Sequence, residues 1–283
     1  MKIQITADRM IDLPKDELER LNIPTMSCFI NMGGKSYEDS IDITPEDVFA
    51  HYAKTGELAK TAARSPETYY DFFKSFTDEG YAVVHFATSS GISALCENAT
   101  KAAKMLPNTY VVDTMSLSNG IALLVRYALQ LIENGETDPK KIYEECLGQR
   151  EKLQDSFMID TLEFLHKGGR CSSLIYYAAN LFKIKPVVTL NKINGRMTIR
   201  EKCRGSIRRA IQDYVANCFR KYPNPDLKSV YVVHFCKDEG LAQFFIDTVK
   251  SHHKFENVHF GIGTCNTTIH SGPNTVGLFY FVK

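Results

Sequence analysis

Roughly a third of the way along, the chain reads Tyr81-Ala82-Val83-Val84-His85-Phe86-Ala87 and then, without a break, Thr88-Ser89-Ser90-Gly91-Ile92-Ser93-Ala94. The first seven residues are a β-branched and aromatic run of strand type, and a helical pattern follows the Ser/Thr/Gly segment. Tyr110 to Asp113 repeats this sequence of strand run and helical pattern, and Ile3 to Ala7 is a third run of the same kind. Successive βα units predict a parallel sheet, so the first half is expected to be an α/β domain. Around it, Thr44-Pro45-Glu46-Asp47 has a capping Thr, Pro at the first helical position and acids in the first turn, which starts a helix running to about Lys54. Pro66-Glu67 starts another that ends near Gly80. Gly33-Gly34-Lys35-Ser36 invites a phosphate-loop reading, but Phe29 stands where that loop needs a glycine. A turn between Met26 to Asn31 and Tyr37 to Ile41 is the plainer expectation.

The second half differs in style. A helix from Asp138-Pro139 to about Leu153 leads into Phe157-Met158-Ile159 and Thr161 to Leu165, closing at Gly168-Gly169. Val187 to Leu190 and Met197 to Ile199 flank Asn194-Gly195, a hairpin signal because both residues tolerate positive φ. An amphipathic helix over Ile207 to Tyr222, then strands at Val230 to Phe235, Val258 to Ile262 and Val276 to Val282, complete a mixed α+β half. Two domains are expected, residues 1–155 and 156–283.

With 283 residues and 44% hydrophobic content the chain can bury a large core. Lys+Arg 34 against Asp+Glu 33 leaves a net charge of +1, so no global field favours nucleic acid or an anionic membrane surface. Lys2 and Asp8 interrupt the first residues, no signal-peptide core is present, and no apolar stretch nears the ~18 residues of a span. A cytoplasmic protein without stable membrane insertion is expected. The eight cysteines lack a CxxC pair and read as reduced core residues; the histidines show no metal spacing, and no metal or cofactor is expected.

Three polar clusters sit at the edges of apolar segments. In Thr88 to Ala94 free N–H groups, a positive helix end and several hydroxyls (Ser89, Ser90 and Ser93, with Gly91 between) converge where an anion could sit; ordinary capping is the alternative. Thr61-Ala62-Ala63-Arg64-Ser65-Pro66 is a loop before a helix, in which Thr61 either donates to a ligand or closes a turn. His270-Ser271-Gly272-Pro273 fixes a histidine on a Gly/Pro turn before the apolar run Leu278 to Val282, where it either serves a ligand or satisfies a turn carbonyl. Arg204 precedes a helix start and either pairs with a carboxylate or stays solvated.

Taken together these segments resemble the DegV family, the fatty-acid-binding subunits of bacterial fatty acid kinase. The resemblance runs nearly end to end, through Ile5 to Pro14, Gly34 to Asp39, Asp42 to Pro45, Thr61 to Pro66, Ser89 to Ser93 and Val112 to Ser116. It continues through Leu162 to Arg170, Ile184 to Pro186, Arg204-Gly205 and His270 to Pro273. It implies a two-domain DegV-like fold with the ligand between the domains, the acyl tail inside the protein and the carboxyl held by Thr61, Ser93, Arg204 and His270. Ser65, Ser89, Ser90, Gly91 and Gly272 would lie nearby. It also implies an ATP-dependent fatty acid kinase partner that phosphorylates the presented carboxyl to an acyl phosphate for phospholipid synthesis; Arg170, after Gly168-Gly169, either faces that partner or is a plain solvated arginine. The chain departs from the family at Ala7-Asp8-Arg9-Met10-Ile11, which loses two hydroxyls, and at Ala62-Ala63-Arg64, where a Gln is expected.

A chain of roughly sixteen carbons, at about 0.8 kcal/mol per buried CH₂, offers on the order of 12 kcal/mol before ordering costs. Its carboxylate must exchange water for hydroxyl, imidazole and N–H partners. Phe, Leu, Ile and Met, with Tyr176 to Phe182, could line a tunnel, as they could any core. The chain lacks a nucleotide loop, which fits a carrier, not a catalyst. Two other readings compete: a serine esterase or thioesterase using Ser93 and His270, although Gly91-Ile92-Ser93-Ala94-Leu95 lacks the second glycine of a nucleophile elbow, and a sensor of a non-lipid carboxylate.

Overall fold

The structure, a computed structural model, describes residues 2–170, 184–235 and 238–283. From the N-terminus, β1 (Lys2–Asp8) leads through α1 (Lys15–Arg20) to β2 (Thr25–Met26). The hairpin of β3 (Phe29–Met32) and β4 (Lys35–Glu38) is followed by α2 (Pro45–Thr55) and β5 (Lys60–Ala62). Then come α3 (Pro66–Thr77), β6 (Tyr81–Ala87), α4 (Leu95–Ala103), β7 (Thr109–Asp113), α5 (Asn119–Glu133) and α6 (Pro139–Arg150). The remainder is β8 (Leu153–Met158), α7 (Glu163–Lys167), β9 (Ile184–Leu190), β10 (Met197–Arg204), α8 (Ile207–Lys221), β11 (Pro225–His234), α9 (Glu239–His252), β12 (Asn257–Ile262), α10 (Cys265–Ser271) and β13 (Val276–Val282).

These strands form three sheets: a parallel one ordered β2-β1-β6-β7, a mixed one ordered β10-β9-β8-β13-β11-β12, and a small antiparallel one ordered β4-β3-β5. The parallel βα first half and the mixed second half are therefore both present, as the sequence patterns require. Residue 155 falls inside β8, a strand of the mixed sheet. α5 lies between the two large sheets and its apolar face buries Ile121, Leu124 and Val125. One continuous core thus joins Ile5, Val84 and Phe86 of the parallel sheet to Phe157, Tyr231 and Phe279 of the mixed one. Each such side chain is worth roughly 1.5–3 kcal/mol of burial, so the two halves are not separable cheaply.

His85, the one polar residue of the β6 run, is fully buried and finds partners on the neighbouring strand. Its ring nitrogens lie 3.0 Å from Thr6 Oγ1 and 3.2 Å from Asp8 Oδ1, and Asp8 also accepts from the Tyr69 hydroxyl at 2.5 Å. The other Asp8 oxygen accepts from the Thr88 N–H at 2.6 Å, which fixes the start of the turn after β6. A buried carboxylate needs such partners, and here they anchor a loop as well.

Two local expectations change, and a third holds. The helix begun at Pro139 ends at Arg150, and Leu153 already belongs to β8; nothing in Glu151-Lys152 has the Gly or Pro punctuation that would mark the stop. β9 and β10 do pair antiparallel with Met197 opposite Leu190, but only Gly195 of the connecting residues has positive φ, because the loop spans Asn191 to Arg196. Gly33 and Gly34, both at positive φ, form the tight β3 to β4 turn.

Candidate ligand-binding site

Between the two large sheets lies a cavity of about 260 Å³, walled mainly by apolar side chains including Leu117, Phe157, Ile159, Val188, Met197 and Phe235. Thr61, Ser93 and His270 line it too. Residues from both halves of the chain contribute, so the cavity exists only when the halves are packed together.

Thr61 is presented by β5, where it pairs with Ile30 of β3, a strand and not the loop expected. His270 sits in the last turn of α10 and not on a free Gly/Pro turn. The Thr61 hydroxyl lies 3.2 Å from His270 Nε2. α10 has only seven residues and owes its place to its ends. Thr264 caps it, accepting from the Thr267 N–H. Asp12 Oδ1 accepts from the Thr264 N–H at 2.8 Å and the Thr267 hydroxyl at 3.0 Å. Asp39 accepts from the Cys265 N–H at 2.8 Å and the Asn266 N–H at 3.3 Å. Two carboxylates from distant segments thus satisfy the orphan N–H groups at the positive end of the helix. Burial nevertheless raises the Asp12 carboxyl to about 6 and pushes Asp39 up as well. At the other end Gly272 adopts φ +73°, and a Cβ there would collide with Phe164.

Burial, and then the nearby Arg170 guanidinium, push His270 down to about 3, so its imidazole is neutral at pH 7. Its Nδ1 is buried without a hydrogen-bond partner among the described residues. Gly168 lies against the ring, leaving no room for a Cβ. Arg170 lines the cavity, donates to the Gly168 carbonyl at 2.8 Å and is half-buried, which lowers its pKa.

Ser93 lies in the turn after β6, and its hydroxyl accepts from the Leu95 N–H at 3.3 Å, where α4 begins. Ser89 is buried and donates to the Gly195 carbonyl at 2.8 Å, locking the turn to the β9–β10 loop. Gly91 lies in the same contact, since a Cβ there would strike the backbone of Asn194 and Gly195. Ser90 is exposed, with its N–H on Asp113 Oδ1 at 3.2 Å, and Ser65 caps α3 by accepting from the Thr68 N–H. Arg204 is not brought into this group: it ends β10 opposite Ile184, is exposed, and is not among the cavity-lining residues. β10 is an edge strand whose side chains alternate between faces, so Cys203 is buried while Arg204, next along, is exposed. Tyr176 to Phe182 lie outside the described residues.

Residues that sequence reasoning did not single out also line the cavity: Met10, Cys28, Leu117 and Asn266. Met10 occupies the departure noted between Ala7 and Ile11. Burial pushes the Cys28 thiol far above its ordinary range, so it is a packing group and not a nucleophile. The hydrolase reading needs a serine, a base and a group orienting the base. Here the His270 Nε2 faces Thr61, no hydrogen bond links it to Ser93, and its Nδ1 has no orienting acid among the described residues. No group of three or more His, Cys, Asp or Glu among the described residues could hold a metal ion, and no described helix is long and apolar enough to cross a membrane.

A solved structure from Thermus thermophilus, described as fatty acid binding of a DegV family protein, superposes with a TM-score of 0.90 at 26% identity, covering 100% of both chains. A DegV lipid binding protein from Thermotoga maritima superposes with a TM-score of 0.84 at 25% identity over 100% of this chain and 99% of that one. A Thermotoga maritima protein named fatty acid-binding protein is 29% identical over 286 aligned positions, which span 98% of this chain and 96% of that protein. The sequence profile described as uncharacterised protein, DegV family, matches residues 2–283. By that match over nearly its whole length, and by the shared fold, the chain belongs to the DegV family.

Proposed function

We propose that this protein binds a long-chain fatty acid in the cavity between its sheets and presents the carboxyl to an ATP-dependent fatty acid kinase, which converts it to an acyl phosphate for phospholipid synthesis. The observation that carries the reading is the pairing of Thr61 with His270 in the wall of a mainly apolar cavity that Ser93 also lines. The hydroxyls of Thr61 and Ser93 and the neutral imidazole replace the water a carboxylate loses, and Arg170 offsets its charge. The tail lies against Leu117, Phe157, Val188 and Met197, and residues 1–155 and 156–283 act as the two lobes around it. Relatives whose names describe fatty acid binding support the ligand class. The protein acts as a cytoplasmic carrier with the fatty acid as ligand and no cofactor of its own. Arg204, exposed on β10, is left out of the carboxylate set.

The test is titration of delipidated protein with palmitate, followed by addition of a fatty acid kinase and ATP. Saturable one-to-one binding and acyl phosphate formed only in the complete mixture are expected. Failure to bind palmitate would overturn the carrier reading; binding without phosphorylation would overturn the kinase part alone.

A further inference from the structure

Arg64 stands in the sequence between Thr61 and Ser93, is not among the cavity-lining residues and is largely buried. The residue is 9% exposed. The guanidinium forms an ion pair with Glu38 at the end of β4. It also donates to the Ser27 carbonyl at 3.1 Å and the Ser27 hydroxyl at 3.0 Å, and it lies 3.6 Å from the centre of the Phe29 ring. Ser27 in turn donates to the same Glu38 oxygen at 3.1 Å. The backbone of Arg64 is held from the opposite side: its carbonyl accepts from the Asn98 side chain at 2.7 Å, and Asn98 is on α4, the helix that Ser93 introduces. Ala62 and Ala63, immediately before it, line the cavity, and Thr61 comes one residue earlier.

We propose that Arg64 is a positioning residue that sets the spacing of Thr61 and Ser93 across the head of the ligand. The side chain ties the Thr61 segment to the β3–β4 hairpin, and the carbonyl ties the same segment to α4. A planar fork with several donors suits this task, because it meets a carboxylate, a carbonyl, a hydroxyl and an aromatic face at once; an ammonium could not. The contacts also account for Phe29, a large apolar residue 37% exposed, whose ring the guanidinium faces. The inference rests on the fatty acid reading above.

The test compares equilibrium binding of radiolabelled palmitate and 1-hexadecanol to the full-length protein and three variants. In Arg64→Ala and in Glu38→Gln, palmitate affinity should fall about tenfold while hexadecanol affinity changes by less than about twofold. Arg64→Lys should recover part of the loss. The two main variants change net charge in opposite directions, so a shared loss reports geometry and not a general field. Equal losses for both ligands, or palmitate binding unchanged in Glu38→Gln, would overturn the proposal, and Glu38→Gln alone decides it if Arg64→Ala does not fold. Wild-type protein that binds no palmitate would instead overturn the carrier reading itself.

Discussion

The Thr61 hydroxyl and His270 Nε2, 209 positions apart in the chain, meet at 3.2 Å. Neither lies on a long element: β5 has three residues and α10 seven. Their meeting therefore depends on tertiary partners, chiefly Ile30 beside Thr61 and the carboxylates of Asp12 and Asp39 at the start of α10. Thr61→Val and Ser93→Ala keep shape and remove a hydroxyl that would face the ligand carboxylate. A hydrogen bond to a charged group is worth about 1.5–3 kcal/mol, so each variant should bind palmitate about 10- to 100-fold more weakly. Calorimetry checks this, and the melting temperature should barely move.

His270 supplies a pH signature. It is about 3 in the folded protein against 6.5 for a free histidine, so between these values the unfolded chain binds a proton that the folded one does not. The histidine therefore makes folding less favourable as pH falls from 6.5, by up to about 1.4 kcal/mol per pH unit, and contributes no slope above 6.5. The raised carboxyls of Asp12 and Asp39 act in the opposite sense. A comparison with His270→Asn isolates the histidine: in the ligand-free proteins, wild type should lose about 2 kcal/mol relative to the variant between pH 7 and pH 5. Urea melts at the two values measure it, and a pH-independent difference would show that the imidazole is not held neutral.

Gly168 packs on the His270 ring with no space for a side chain. Gly168→Ala should displace the imidazole from Thr61, weakening palmitate binding about as much as loss of the Thr61 hydroxyl and destabilising the fold by about 1–3 kcal/mol through overpacking. Binding at wild-type strength in this variant would mean that the ring moves freely.

Much of this arrangement is readable from residue order, and the unread parts have identifiable causes. Val276 to Val282 is a strand at the very residues expected, because seven residues of mostly β-forming type leave no competing period. The Thr44 and Ser65 caps with Pro behind them likewise mark α2 and α3. α10 escapes notice because Cys265-Asn266-Thr267-Thr268 has poor intrinsic helix propensity, and the helix is held by partners at positions 12 and 39 that no local window contains. Thr61 reads as loop for the same reason: a three-residue strand exists only by virtue of β3. The grouping of Thr61, Ser93 and His270 comes from the family resemblance, whereas Arg204, which the same resemblance implies, is exposed and not among the cavity-lining residues. The roles of Met10 and Arg64 are visible only once β1 and the β3–β4 hairpin are in place.

Chain length should be set by the apolar end of the cavity. Val188 and Met197 approach from β9 and β10 and are nearly fully buried. Val188→Phe fills space there, so it should weaken palmitate binding by about tenfold or more while sparing a ten-carbon acid, given about 0.8 kcal/mol for each CH₂ denied burial. Equal effects on both acids would place the tail elsewhere. Parallel titrations with the two acids give the answer.

The serine at position 93 is expected to be inert towards electrophiles, because no base among the described residues is hydrogen-bonded to it. A fluorophosphonate probe should leave Ser93 unlabelled, as read by peptide mass spectrometry; stoichiometric labelling would reinstate a hydrolase.

The most direct measurement is native mass spectrometry of the protein purified without added lipid, with the bound species identified after extraction. A long-chain fatty acid at one per chain, depleted in Thr61→Val and Ser93→Ala, is the expected result. Repeated recovery of the wild-type protein free of any acyl ligand, or equal loading in both variants, would contradict the carboxylate site at Thr61, Ser93 and His270.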